Sequence, residues 1–161
     1  MKQGRAILVA AILSAGFAAH AQVTVKHIQS EKSPIATGVW AGDTFYLSGQ
    51  LADPVTPADK DKGTPAVYGD TKAQSASVFA KIQKALQAQG LDMKDVVKMT
   101  VFLGPEPATG KLDFAAMQSE YVKFFGTADQ PNKPARSAFQ VAALAAPWAL
   151  VEIEVIAVKG K

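Results

Sequence analysis

The sequence has 161 residues, 17 Lys and Arg against 14 Asp and Glu, and no cysteine. That length suits one domain with a sizeable core, and the missing thiols exclude disulfides, thiolate metal sites, cysteine nucleophiles and lipid attachment through sulfur. No Lys/Arg stripe with interleaved aromatics runs through the chain, so a nucleic-acid surface has no support.

Residues 1–21 read as an export signal. Lys2 and Arg5 form a positive start, Ala6 to Ala18 is apolar apart from Ser14 and Gly16, and Ala19-His20-Ala21 has the form of a signal-peptidase site. The apolar run falls short of the ~20 residues that span a bilayer. The expectation is an exported, periplasmic product of residues 22–161, a single domain with no membrane segment once the signal is cleaved. Losing Lys2 and Arg5 takes the formal net charge from +3 to near +1.

Val23 to Gln29 alternates as a strand and carries His27, the only histidine after residue 21. One histidine without a paired His or Cys makes no persuasive metal site, so no metal is expected. Ser30 to Pro34 is a turn. Ile35 to Trp40 and Thr44 to Leu51, broken at Gly42-Asp43, predict a β-hairpin. The second strand holds Ser48-Gly49, where the glycine marks either a bulge or a close backbone approach by a ligand or strand.

Ala52 to Gly69 is rich in Pro, Asp, Lys and Gly and predicts a long surface loop, with Tyr68 placed to anchor its end. Asp70 or Thr71 can cap a helix that runs to about Gln89 and stops at Gly90. Ala76, Phe79, Ile82, Ala85 and Leu86 form its apolar stripe, while its lysines and glutamines are expected to face water. Val96 to Leu103 predicts a strand with Val97, Met99, Val101 and Leu103 on one face. Gly104 to Gly110 must be a loop. A second helix, roughly Asp113 to Phe125, is expected to bury Phe114, Met117, Tyr121 and Phe124 or Phe125.

After a loop to Lys133, Pro134 to Leu144 and Leu150 to Val158 alternate with a period of two, separated by Ala145 to Trp148. The simplest expectation is an antiparallel pair. Arg136 is the only arginine after residue 21; every other cation there is a lysine. Its planar, bidentate geometry distinguishes it from a merely solvated charge. Glu152 and Glu154, two apart, share a strand face. Were the two strands paired, arginine and carboxylate would face one cleft. A structural ion pair and a solvated acidic face explain the same residues.

The sequence resembles the RidA family of YjgF-type reactive intermediate/imine deaminases, many of which carry the label endoribonuclease L-PSP. Ala41-Gly-Asp-Thr-Phe-Tyr-Leu-Ser-Gly-Gln50, Gly90 to Leu103, Tyr121-Val-Lys-Phe-Phe125, Pro134-Ala-Arg-Ser137 and Val151 to Ala157 carry the resemblance, in order and at near-family spacing. It implies an α+β, chorismate-mutase-like fold: an antiparallel-rich sheet with two helices on one face, and a homotrimer with a central barrel and clefts between subunits.

The implied activity is hydrolysis of enamines and imines such as 2-aminoacrylate to 2-keto acids and ammonia, without a cofactor. By the resemblance, Arg136 clamps the carboxylate of a small substrate, Glu152 acts on the attacking water, and Ser48 and Gly49 line the pocket. The chain departs from the family pattern at Ile35, where a tyrosine is usual, at Gln118 for an asparagine, and at Ala138 for a frequent cysteine. Export separates it from the cytoplasmic enzymes that make 2-aminoacrylate, which favours a different imino acid. A non-catalytic trimeric module binding amino or keto acids is the alternative; ribonuclease activity rests on the family label alone.

Overall fold

In the computed structural model, residues 22–160 are described; the expected export signal, residues 1–21, lies outside them. Six strands form one sheet: β1 (Val25–Ile28), β2 (Gly38–Ala41), β3 (Thr44–Leu51), β4 (Val96–Leu103), β5 (Ala135–Gln140) and β6 (Val151–Val158). Their order is β1-β2-β3-β6-β4-β5. Neighbours run antiparallel except β4 and β5, which are parallel.

The expected pairing of the last two strands is therefore overturned: β4 lies between them. The side chains supply the reason. Along β6, Val151, Ile153, Val155 and Ala157 are buried, a pattern suited to a central strand bonded on both edges. The β5 run Ala135-Arg-Ser-Ala-Phe-Gln140 has no fully buried residue and takes the sheet edge.

Two helices, α1 (Thr71–Gln87) and α2 (Phe114–Tyr121), cover one face of the sheet. Asp70 caps α1, its carboxylate accepting the Ala73 N–H at 2.8 Å. Val78, Phe79, Ile82 and Leu86 of α1 pack with Phe45, Leu47, Met99, Val101, Leu103, Ile153 and Val155 of the sheet and Met117 and Tyr121 of α2. This is the α+β architecture expected of a chorismate-mutase-like chain.

Local departures have local causes. Gln74 does not face water: its amide is buried, donating to the Gly69 and Trp148 carbonyls at 3.2 and 3.1 Å and accepting the Leu150 N–H at 2.8 Å. A register shift between Val96 and Lys98 buries Val96 and turns Val97 out to 48% exposure. Helix α2 stops at Tyr121, and Phe114 lies exposed rather than in the core. Within the 52–69 loop, isolated pairings of Thr56 with Val67 and Asp59 with Thr64 make a small antiparallel excursion. Tyr68 closes it by stacking on Trp148, ring centroids 3.5 Å apart.

Candidate active site

Arg136 sits second on β5, opposite Met99 of β4, and takes the helix-covered side of the sheet. Its guanidinium carbon lies 4.2 Å from the Tyr121 ring centroid and 5.6 Å from that of Phe114. The two rings of α2 thus present their faces to the cation, a contact that arginine makes more often than lysine. Among the described residues Nη1 is buried with no hydrogen-bond partner, and so is Oε1 of Gln118. Both residues line one open cleft of about 460 Å³ between α2 and β5, together with Tyr121, Phe125, Gly126 and Lys133.

Burial pushes the Tyr121 phenol above its usual range, against an opposing pull from Arg136. The ring facing the cation is therefore neutral at physiological pH. Ala138, two residues along β5, stands opposite Val101 and packs on the core, outside the cleft lining.

A second group forms elsewhere. Glu152 on β6 stands opposite Leu51 of β3 and Phe102 of β4. The β3–β6 register shifts between Leu47 and Gln50, so Ser48 and Gly49 sit in a bulge. The bulge and the close approach prove to be one feature. A Cβ on Gly49 would lie 3.0 Å from Cδ and 3.1 Å from Cγ of Glu152 and would overlap its Oε1. Only glycine leaves that carboxylate its place.

Ser48 Oγ donates to the Ala36 carbonyl at 2.7 Å and its N–H donates to Thr37 at 3.0 Å, tying the bulge to the segment before β2. That brings Ile35, 64% exposed, to the same end of the sheet. Among the described residues Glu152 and Glu154 enter no ion pair.

The predicted residues thus gather in two places. Arg136 and Gln118 meet between α2 and β5; Glu152, Ser48 and Gly49 meet on β6 and β3, with Ile35 beside them. Register puts these groups on opposite faces of the sheet, because Arg136 is level with buried Met99 whereas Glu152 is level with Phe102, which points the other way and meets Phe139 edge-on at 5.2 Å. Arginine and carboxylate do not face one cleft within a chain, a correction that follows from the insertion of β4. Tyr121 is in the core as the sequence predicts and also faces Arg136, whereas Phe114 leaves the core for the guanidinium and Lys133 has no mark in the sequence. Their spacing from Arg136 becomes visible only once α2 lies against β5.

Chemically, the first group offers a partly buried cation, set against aromatic rings, for a carboxylate and an acceptor for an N–H. The second offers an unpaired carboxylate that can exchange protons with water or a bound ligand.

A family model described as Endoribonuclease L-PSP matches residues 26–159. A RutC family protein from Haemophilus influenzae is 37% identical over 137 residues, covering 82% of this chain and 95% of the relative. The 2-iminobutanoate/2-iminopropanoate deaminase of Capra hircus is 36% identical over 138 residues, covering 83% and 89%. Among solved structures, yeast Mmf1 superposes with a TM-score of 0.64 at 29% identity, over 85% of this chain and all of that one. A YjgF-family member from Neisseria meningitidis does so at 0.65 and 25%, over 87% and 98%. With a family model matched over residues 26–159, relatives at 36–37% identity and solved structures of similar fold, the chain belongs to the endoribonuclease L-PSP family, the RidA/YjgF group of proteins.

Proposed function

We propose that the protein hydrolyses small 2-imino acids to 2-oxo acids and ammonia, with Arg136 clamping the substrate carboxylate. The observation that carries this reading is the buried Nη1 of Arg136, without a partner among the described residues, on a guanidinium that lies over the Tyr121 ring. A buried donor without an acceptor is costly, and an anionic ligand offsets that cost. The deaminase name carried by several mammalian relatives points the same way.

The reaction asks little of the protein. The imine carbon is already electrophilic, so water adds to it, one proton moves from water to nitrogen, and collapse of the resulting carbinolamine expels ammonia and leaves a carbonyl. Holding the carboxylate still brings the carbon to the water. Glu152 takes the proton from the attacking water and returns it to the leaving nitrogen. Because Arg136 and Glu152 lie on opposite faces of one sheet, the complete site takes each from a different copy in a homotrimer.

The test is release of ammonia and 2-oxo acid from imino acids generated in place by an amino-acid oxidase. Wild type accelerates hydrolysis, and Arg136→Ala lowers kcat/KM by about 100-fold or more. Equal rates in both would remove the clamp from the mechanism. Ile35, lacking a hydroxyl and 64% exposed, favours a second reading, a module that binds small carboxylates without turning them over. Calorimetry showing Arg136-dependent binding of 2-oxo acids, with no acceleration of hydrolysis, would select it. Ribonuclease action is the weakest reading for a chain whose one histidine after residue 21, His27, is exposed on β1.

A further inference from the structure

The Arg136 cleft carries more positive charge than one carboxylate uses. Lys133 lines it together with Arg136, and among the described residues of one chain no Asp or Glu does. Among the described residues Lys133 makes no ion pair.

An exposed lysine is ordinarily a mobile, solvated charge, but this one has a track. Its chain lies across Gly126, where a Cβ would stand 3.4 Å from Nζ and 3.5 Å from Cδ and would overlap Cε. Gly126 has φ +73°, a conformation that other residues rarely adopt, so the groove is kept open by the backbone itself. Pro134, buried and rigid, follows directly and leads into the strand that bears Arg136. The ammonium is thereby delivered to the rim of the cleft whose floor holds the guanidinium.

Within one chain, two cations of different depth and the acceptor Oε1 of Gln118 describe a ligand with two acidic groups and an N–H; the Glu152 that another copy brings serves the attacking water and leaves both cations to the ligand. We propose that the cleft selects imino dicarboxylic acids, the carboxylate next to the imine resting on Arg136 and the distal one, a methylene or two further on, held by Lys133. As a statement about turnover this rests on the imine-hydrolase reading; as a statement about binding it does not.

The experiment therefore has two arms. In calorimetry, 2-oxoglutarate and 2-oxobutanoate serve as stable probes, with wild type and Lys133→Met, which keeps a straight chain over Gly126. Wild type is expected to bind the dicarboxylate about tenfold more tightly, and the variant to bring that ratio near one. No preference in wild type, or the same preference in the variant, overturns the proposal. In the second arm the imines of glutamate and 2-aminobutanoate are generated by an oxidase, and the ratio of their kcat/KM values should shift as the binding ratio does. If neither imine is turned over while the binding preference persists, the hydrolase reading fails and the subsite stands. Turnover of both imines at equal efficiency, with no binding preference, leaves the hydrolase and removes the subsite.

Discussion

At the scale of single residues, the site depends on what is missing as much as on what is present. Gly49 has no positive φ to explain it; its role is to leave room for the Glu152 carboxylate. Gly49→Ala should accordingly lower deaminase turnover about tenfold or more by displacing that carboxylate, with a stability change under ~1 kcal/mol, since the group displaced is the end of a flexible side chain. Activity assay beside thermal unfolding checks the pair of outcomes; a large loss of stability with normal turnover would contradict it. Arg136 was legible in the sequence because it is the only arginine after residue 21, and Ser48-Gly49 because a glycine inside a strand needs a reason. Lys133 was not: one lysine among many carries no local mark, and its neighbour Gly126 reads as an ordinary loop residue until the chain folds back over it.

At the scale of elements, helix and strand existence was legible and strand partnership was not. Alternation in β3, β4 and β6, the Asp70 cap of α1 and the Gly90 turn that follows its end at Gln87 are properties of short windows. Which strand lies beside which is a long-range choice, and nothing in residues 134–158 records that β4 enters between β5 and β6. Gln74 shows the same limit. It lies among helix positions that periodicity assigns to solvent, yet its amide joins the start of α1 to the Trp148 carbonyl and the Leu150 N–H at the entry to β6. Gln74→Ala leaves those buried groups without partners and should destabilise the fold by about 2–3 kcal/mol, read as a lower midpoint in urea. A change below ~0.5 kcal/mol would mean that water replaces the amide at no loss.

At the scale of the whole molecule, the two halves of the proposed site lie on opposite faces of one sheet, so no single chain completes it. If Arg136 and Glu152 act together across copies, two inactive variants should repair one another. Mixing Arg136→Ala with Glu152→Gln, unfolding and refolding them together, should restore about a quarter of wild-type activity, because random assembly pairs an intact arginine with an intact glutamate in that share of sites. No recovery, with mixed oligomers demonstrated by mass, would place both groups in one protomer. Clefts between subunits were expected from the family resemblance, but residue patterns alone did not show the face on which Arg136 emerges, because the sheet order, with its parallel β4–β5 pair, sets it. That same order has a kinetic side. The last strand of the chain, β6, is the one that joins β3 to β4, so the sheet cannot close until Val151–Val158 has been made and delivered. Until then the ribosome holds two separate sheet fragments with open edges, neither of them a finished core.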